Sequence, residues 1–287
     1  MKIIKKIEEM RSWSGEQCGK GLTIGFVPTM GALHRGHLAL VKLSQSKTDI
    51  TVVSIFVNPT QFGPQEDFNA YPRQFESDSE KLQKENVDVL FAPTTDDMYG
   101  SEFQTSISVK EVSKGLCGEF RPGHFQGVAT VVLKLFNIVR PQVAVFGEKD
   151  YQQLLVIKHM VGDLNLDVNI VSHPIVRDSD GLALSSRNVR LSQEEKKEAL
   201  IIPATLARAQ EFFNKGEREI AKILTACAEF IDREGSLNLQ YLEIRDALTL
   251  KSISKIERKA VVLLAAHVGN VRLIDNCILG SDHETSN

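Results

Sequence analysis

Two histidines and two glycines stand together between an apolar, strand-like run and a predicted helix. They occupy residues 28–37, with the sequence PTMGALHRGH, directly after the run 22–27. Glycine permits tight turns close to a ligand, and a helix start offers unpaired N–H groups and a positive dipole end. His34 and His37 are three residues apart, so on a helical turn they share one face and can hydrogen-bond phosphate oxygens. The pattern favours phosphate binding, and the alternative is a strand–helix turn with two surface histidines.

Neutral amides follow the next predicted strand, residues 50–57. Asn58 and Gln61 stand where loop amides at a strand end face a cleft. Such amides can bind the hydroxyls and the carboxylate of a small polyhydroxy acid without the strong charge of arginine. We therefore predict that Asn58 and Gln61 contact substrate, the alternative being solvent-exposed loop amides.

A glycine followed by three charged residues ends a later strand. The segment 147–150 is GEKD, after the predicted strand 143–146. A glycine there lets the backbone approach a ribose, and Asp150 can accept hydrogen bonds from ribose hydroxyls. Lys149 supplies a mobile point charge for a phosphate or carboxylate. The alternative is an ordinary charged helix start.

Two hydroxyls and a guanidinium follow one another at Ser185, Ser186 and Arg187. Arginine binds oxyanions through two parallel hydrogen bonds, so this group suits a leaving pyrophosphate. It lies close to a predicted domain boundary, where a lid that closes over a bound phosphate compound would need phosphate-binding residues. Taken alone, the segment also fits a polar linker.

Chemistry at the phosphates of a nucleotide normally needs Mg²⁺, which prefers oxygen ligands. Asp78, in the predicted helix after Arg73, is the candidate for an acidic contact near such a metal. The alternative is a solvated carboxylate on a helix surface.

The elements that must position these residues alternate along the chain. Predicted strands cover residues 22–27, 50–57, 87–91, 143–146 and 166–171, and predicted helices cover residues 36–46, 75–85, 125–139 and 151–161. Short, nearly continuous apolar strands separated by helices indicate a doubly wound parallel sheet, a Rossmann-like α/β fold. Sheets of this kind bind ligands at the carboxyl ends of their strands.

The pattern changes after about residue 178. Ser192 and Glu195 form a predicted capping box, and the helix they open is interrupted by Pro203 and ended by Gly216. A second helix is predicted at 217–234, and strands are predicted at 239–244, 260–267 and 271–276. We therefore predict a Rossmann-like domain over residues 1–177 and a smaller α+β lid domain over residues 178–287.

Composition narrows the function further. The 287 residues carry a net charge of −3 with scattered Lys and Arg, which argues against a sequence-independent nucleic-acid surface. The longest clean apolar run, 260–266, is too short for a membrane span. The four cysteines form no CxxC pair, so reduced thiols in a cytoplasm fit better than disulfides or zinc.

The motifs together resemble a known family. The HxGH segment after the first predicted strand resembles the signature of the HIGH nucleotidyltransferase superfamily, and the longer string PTMGALHRGH is similar to the pantothenate synthetase (pantoate–β-alanine ligase) family. Segments that agree are 56–62 with 71–73, 121–128 followed by 146–153, and 177–188. The resemblance covers residues 22 to about 191, whereas residues 192–287 match in length and general character. Leu184 stands where that family more often has methionine, which is a chemically neutral difference.

The resemblance implies an activity and a set of contacts. It implies ATP-dependent joining of pantoate to β-alanine through a pantoyl-adenylate, with ATP as co-substrate, Mg²⁺, a cytoplasmic location and a homodimer. It implies that Gln61 and Gln153 bind pantoate, that Lys149 contacts the reacting phosphate and that the serine–arginine segment is a second phosphate loop. Implied ATP contacts are Met30, Gly31, His34, His37, Gly147, Glu148, Lys149, Asp150, Val176, Leu184, Ser185, Ser186 and Arg187. The charge for catalysis would come from His34, His37, Lys149, Ser185, Ser186 and Arg187.

Three other functions compete with this interpretation. An adenylyltransferase of the same superfamily is disfavoured by the segments around Gln61 and Gln153. A fragment of an aminoacyl-tRNA synthetase would need a basic tRNA-binding region, which the sequence lacks. A nucleotide-binding regulatory module without turnover is disfavoured because every charged residue of the predicted cleft is retained.

Overall fold

Six short apolar segments pair side by side in the computed structural model, which describes residues 1–64, 66–235 and 237–280. All the pairings are parallel, and the strand order is β1-β4-β3-β2-β5-β6. The strands are β1 (Lys2–Ile4), β2 (Ile24–Thr29), β3 (Ile50–Ile55), β4 (Val89–Phe91), β5 (Val143–Gly147) and β6 (Asn169–His173). The helices that connect them are α1 (Ile7–Gly19), α2 (Arg35–Gln45), α3 (Phe75–Lys84), α4 (Thr95–Met98), α5 (Leu116–Phe120), α6 (His124–Val139) and α7 (Tyr151–Asp163).

Neighbouring residues of each strand enter different cores, because successive side chains of a strand point to opposite faces. Phe26 and Val52 belong to one core, which also contains residues of α1, α6 and α7. Val27 and Val53 belong to another core, against α2 and α3. Burial on both faces explains why these strands are continuously apolar in sequence.

The chain divides into two compact units. The first unit comprises Met1–Glu148 and Gln152–Val176, and the second comprises Lys149–Tyr151 and the described residues from Arg177 onward. The second unit contains an antiparallel three-stranded sheet in the order β7-β8-β9 and its own apolar core. Its elements are α8 (Gln193–Ala199), α9 (Ile201–Asn214), α10 (Ile220–Glu234), β7 (Asn238–Asp246), β8 (Ala260–Val268) and β9 (Val271–Leu279). The predicted fold class, a doubly wound parallel sheet followed by a smaller α+β domain, is confirmed.

Local polar contacts set the helix ends in the second unit. The predicted capping box is present, with the Ser192 hydroxyl accepting from the Glu195 N–H and the Glu195 carboxylate accepting from the Ser192 N–H. The helix breaks at Leu200, three residues before Pro203, so proline lies in the first turn of α9, where its missing N–H costs little. The next helix begins three residues later than predicted, because the Glu217 carboxylate accepts backbone N–H groups ahead of it. Among the helices of the described ranges, none has the length and apolar character needed to cross a membrane.

A buried carboxylate fixes the loop between β2 and α2. Asp78 on α3 is fully buried and accepts from the N–H of Ala32 at 2.7 Å and of Leu33 at 2.8 Å, with Lys81 Nζ 3.3 Å away. The anchor stabilises an unusual backbone, because Ala32 has a positive φ of 50°, which a non-glycine residue rarely adopts, directly after Gly31 with a φ of 84°. A Cβ on Gly31 would lie 3.2 Å from an Asp78 oxygen. The prediction that Asp78 contacts a metal is therefore not supported, since both oxygens are buried and engaged by the protein.

Replacing Asp78 with asparagine should lower the free energy of unfolding by about 1–3 kcal/mol, because one accepting oxygen becomes an NH₂ group facing a backbone N–H. The measurement is the urea midpoint of Asp78→Asn against the wild type. Glu80→Gln, an exposed carboxylate on the same helix, is the matched control and should change stability by less than about 0.5 kcal/mol. Equal midpoints for Asp78→Asn and Glu80→Gln would contradict the anchoring role.

Candidate active site

The strand order reverses between β2 and β5. From β2 the chain proceeds to β3 and then β4 on one side, whereas β5 pairs on the other side of β2 and leads to β6. Open parallel sheets bind ligands in the crevice beyond the carboxyl ends of their strands at such a reversal. The loop after β2 carries the two histidines, and the segment after β5 carries Gly147. The fold therefore places these two predicted elements at one crevice.

His34 and His37 cap the start of α2 with their own rings. His34 is the N-cap residue, and its Nδ1 accepts from the Gly36 N–H at 3.2 Å. The Nδ1 of His37 accepts from the His34 N–H at 3.3 Å, and the ring centroids are 4.0 Å apart. A nitrogen that accepts carries no proton, so each ring bears a proton on Nε2. The two half-buried rings thus offer Nε2–H donors at the positive end of a helix, an arrangement suited to phosphate.

Gln61 lies beside Met30, the residue that opens the loop after β2. Gln61 Nε2 donates to the Met30 sulfur at 3.0 Å, and Gln61 Oε1 accepts from Asn58 Nδ2 at 3.1 Å. These bonds use one N–H and one lone pair of the Gln61 amide, which has a second of each. The structure therefore joins one predicted substrate contact directly to one predicted ATP contact.

Asn58 is buried and fully hydrogen-bonded within the protein. Its Nδ2 also donates to the Gly127 carbonyl at 3.2 Å, and its Oδ1 accepts from Tyr99 at 2.8 Å and Thr60 at 3.0 Å. Burial raises the pKa of Tyr99, so the phenol keeps the proton that it donates. Two donors and two lone pairs are the whole capacity of an amide. This corrects the prediction that Asn58 contacts substrate, because its side chain instead belongs to the framework around Gln61.

The two adjacent glutamines of α7 have different environments. Gln152 is buried, where Oε1 accepts from the Cys117 N–H at 3.0 Å and Nε2 donates to the Val112 carbonyl at 3.0 Å. Gln153 is partly exposed in the same first turn, directly after the segment that leaves β5. Gln152 thus anchors the segment before α5, and Gln153 is the member of the pair that solvent reaches.

A cavity of about 260 Å³ lies against the loop after β2 within the first unit. Its lining includes Met30, Gly31, Phe56, Arg73 and Asp78. Arg73 donates to the carbonyls of Phe68 and Tyr71 at 3.2 and 3.3 Å and stacks on the Phe68 ring. The family-like Tyr71–Arg73 string therefore builds a turn next to the cavity.

The predicted ATP residues after β5 fall on both sides of the division into units. Gly147 ends β5, and Glu148 Oε1 accepts from the Ser172 hydroxyl at 2.7 Å, both within the first unit. Lys149 and the exposed Asp150 belong to the second unit. There, Asn276 Nδ2 donates to the Lys149 carbonyl at 2.9 Å.

Arg177, which begins the segment 177–188 that contains the two serines and Arg187, is held to the same strand, β9. Arg177 makes two hydrogen bonds to the buried Asp275, at 2.6 and 3.0 Å. Burial alone lowers the pKa of Arg177, but its hydrogen bonds with Asp275 give a net rise, so the guanidinium stays charged. Arg177 also pairs with Ala183 in a short antiparallel bridge. Asp275 and its neighbour Asn276 thus anchor the segment around Arg177 and the backbone of Lys149.

A local turn shapes the remaining predicted phosphate residues. Ser185 Oγ accepts from the Arg187 N–H at 3.2 Å, and the Ser185 carbonyl accepts from the Asn188 N–H at 3.0 Å. Asn188 Nδ2 closes the turn by donating to the Ala183 carbonyl at 3.1 Å. Ser186 is buried, and Arg187 is half-buried just before a short 3₁₀ helix. Leu184 is half-buried in this turn, whereas Val176 is the last residue of the first unit.

Sequence reasoning missed several residues that hold these groups in place. Tyr99 lies 41 positions from its partner Asn58, and Asn276 lies 127 positions from Lys149. The available signal was weak: two adjacent polar residues, Asp275 and Asn276, stand in the middle of a mostly apolar strand. Such residues are identified by their partners, which only the fold brings close.

Comparisons with known proteins agree with this arrangement. A family model described as pantoate-beta-alanine ligase matches residues 2–278. Pantothenate synthetase of Thermotoga petrophila is 53% identical over 280 residues, which are 98% of this chain and 100% of that protein. The crystal structure of pantothenate synthetase from Thermus thermophilus superposes with a TM-score of 0.92 at 44% identity, covering 98% of this chain and 100% of that one.

A further solved structure is pantoate-beta-alanine ligase from Francisella tularensis, complexed with beta-gamma ATP and beta-alanine. It matches with a TM-score of 0.81 at 37% identity, over 97% of each chain. The resemblance carried by the sequence motifs is thereby confirmed over nearly the whole chain. This chain belongs to the pantoate-beta-alanine ligase family.

Proposed function

We propose that this protein condenses pantoate with β-alanine, with consumption of ATP, through a pantoyl-adenylate, and releases AMP and pyrophosphate. The observation that carries the proposal is the His34–His37 pair, whose Nδ1 atoms are occupied by the backbone at the start of α2. Two Nε2–H donors at a helix N-terminus suit an anion whose charge grows during reaction. Family membership supplies the substrates, since a relative was solved in complex with beta-gamma ATP and beta-alanine.

The reaction has two displacements. A pantoate carboxylate oxygen attacks the α-phosphorus of ATP, and the bond to the bridging oxygen breaks to release pyrophosphate. The amine of β-alanine then attacks the carbonyl carbon of the mixed anhydride, loses a proton and expels AMP. Adenylation converts oxide, a poor leaving group, into AMP, a good one. The protein supplies alignment and charge stabilisation and forms no covalent bond with the substrate.

Each group of side chains has one task in this scheme. The loop after β2 and the segment after β5 would bind ATP, with His34 and His37 at the phosphates. The Gln61 and Gln153 amides would bind pantoate, because neutral amides match hydroxyls and a carboxylate. In the second unit, Lys149, Ser185, Ser186 and Arg187 would stabilise the pyrophosphate as it leaves. Support for that last task is the anchoring on β9 of two neighbouring points: Asn276 holds the Lys149 backbone, and Asp275 holds Arg177, which begins the segment that contains the two serines.

Magnesium enters this scheme as the counter-ion of ATP. Across residues 1–64, 66–235 and 237–280, no three His, Cys, Asp or Glu side chains form a group able to hold a metal ion. Asp78 is committed to the loop after β2. In many nucleotide sites most ligands of Mg²⁺ are water molecules and phosphate oxygens. We therefore propose that the ion binds together with the nucleotide. A homodimer and a cytoplasmic location are parts of the same proposal.

Turnover should yield AMP and pantothenate from ATP, pantoate and β-alanine. Labelled pyrophosphate should exchange into ATP with pantoate present and β-alanine absent, and ¹⁸O from the pantoate carboxylate should appear in AMP. Exchange that requires β-alanine, with no label in AMP, would rule out the stepwise adenylate route. Formation of ADP would indicate an acyl-phosphate instead.

Substitution of His34 or His37 by alanine should lower kcat for pyrophosphate exchange by about 10²–10³-fold, as loss of a transition-state donor does. Glutamine places an N–H donor near the position of Nε2, so His34→Gln and His37→Gln should retain more activity than the alanine variants. His159→Ala, an exposed histidine on α7, is the control and should leave kcat unchanged. Near-wild-type kcat in both alanine variants would remove the pair from the mechanism.

Loss of either side-chain amide that is predicted to bind pantoate should weaken the binding of pantoate more than the binding of ATP. A buried donor or acceptor that loses its hydrogen-bond partner costs about 1–3 kcal/mol, which is roughly 5- to 150-fold in affinity. We therefore expect Gln61→Ala and Gln153→Ala to raise the KM for pantoate within this range, with the KM for ATP changed less than twofold. The control is Gln83→Ala, an exposed amide on α3. Weakened ATP binding with unchanged pantoate affinity would show that these amides bind the nucleotide and would contradict their assignment to pantoate.

A further inference from the structure

We propose that Arg121 and His124 are positioning residues that hold Gln61 in place for the polyhydroxy acid. This inference rests on the proposed role of Gln61 in binding pantoate. Arg121 and His124 belong to the motif at residues 121–128 that resembles the family. Both contact the backbone carbonyl of Gln61, whereas Met30 contacts its side chain.

The tautomer of His124 is set by Arg121. Arg121 contacts His124 Nε2 at 3.1 Å, and a guanidinium can only donate, so Nε2 must accept. The ring proton of His124 therefore lies on Nδ1, which donates to the Gln61 carbonyl at 2.9 Å. His124 is buried, so this bond is shielded from competing water.

A salt bridge fixes Arg121 in turn. Its Nε donates to one oxygen of Glu66 at 2.9 Å, and its terminal nitrogen pairs with the other. Burial alone would raise the pKa of Glu66, but the hydrogen bonds from Arg121 give a net lowering. Burial alone would lower the pKa of Arg121, and the hydrogen bonds to Glu66 give a net rise, so both groups stay charged. Since Arg121 also donates to the Gln61 carbonyl at 3.3 Å, the contacts tie Gln61 and Glu66 to the start of α6.

The backbone of this loop lies directly on α6. A Cβ at Gly127 would lie 2.4 Å from the Thr60 carbonyl oxygen and 2.7 Å from Gln61 Cα, closer than real Cβ contacts allow. His124 and Gly127 are three residues apart on α6 and share one face. Close approach at Gly127 and the hydrogen bond from His124 thus fix the backbone of Gln61, while Asn58 fixes the orientation of its amide.

Such a network acts on a substrate through Gln61 alone, which separates positioning from general stability. A displacement of about 1 Å in a contact residue can cost up to about a hundredfold in rate. A structural loss would affect all substrates, whereas a shifted Gln61 affects the ligand that its amide binds.

The test is a double-mutant cycle on the full-length protein, read by pyrophosphate exchange. His124→Leu should raise the KM for pantoate about tenfold and leave the KM for ATP within about twofold, because the Gln61 amide is the proposed contact of pantoate. His124→Asn, which places an N–H donor near the position of Nδ1, should restore most of the affinity. In a Gln61→Ala background, His124→Leu should have no further effect on the KM for pantoate, since coupled residues are not additive.

Arg121→Lys is a second variant, for use if His124→Leu does not fold. It keeps the positive charge but loses the several parallel N–H donors of the guanidinium. It should raise the KM for pantoate in the same selective way. Arg245→Lys, which disturbs an arginine–glutamate pair in the second unit, is the matched control and should change neither KM. Additive effects of His124→Leu and Gln61→Ala, or equal loss of pantoate and ATP affinity, would overturn the positioning role. Absence of exchange in the wild type would instead overturn the proposed function on which this inference rests.

Discussion

Burial of the Asp78 carboxylate beneath the loop after β2 is the constraint on which the candidate site depends. An ionised carboxylate is costly to bury unless it is paired and hydrogen-bonded, and here two backbone N–H groups and Lys81 offset that cost. The bonds to Ala32 and Leu33 hold Ala32 in a left-handed conformation that a non-glycine residue rarely adopts, directly after Gly31, which adopts it readily. Because the loop is held there, His34 begins α2 with both imidazoles turned back onto its first N–H groups.

The same device recurs at the other candidate contacts. Two residues of the candidate site are each held by a buried amide: the Gln61 side chain by Asn58, and the backbone of Lys149 by Asn276. A buried polar side chain destabilises the fold when some of its hydrogen-bonding groups lack partners, and it is held rigidly when all of them have partners. Precision at the contacts thus derives from a second set of residues that have no need to meet a ligand.

Sequence patterns predicted the parallel sheet because its central strands, β2 to β5, are largely buried on both faces and therefore mostly apolar. They were less accurate where apolar side chains enter the core from turns: Leu166 and Val168 pack against the core ahead of β6, so the predicted strand at 166–171 begins three residues before the observed one. The histidine motif could be predicted because its parts are contiguous. Asn58 was misassigned because its partners Tyr99 and Gly127 lie 41 and 69 positions away, and no local pattern shows that its amide is already satisfied.

Histidine serves two opposite purposes in this protein, and the nitrogen that meets the backbone distinguishes them. In His34 and His37 the Nδ1 atoms accept from N–H groups, which leaves the protons on Nε2, the outer edge of each ring. In His124 the Nε2 atom accepts from Arg121, which places the proton on Nδ1 and directs it to a backbone carbonyl. Residue type alone cannot separate a histidine that donates to a ligand from one that donates to the framework. The neighbouring donor decides, because a backbone N–H or a guanidinium can only donate and thereby assigns the ring proton to the other nitrogen.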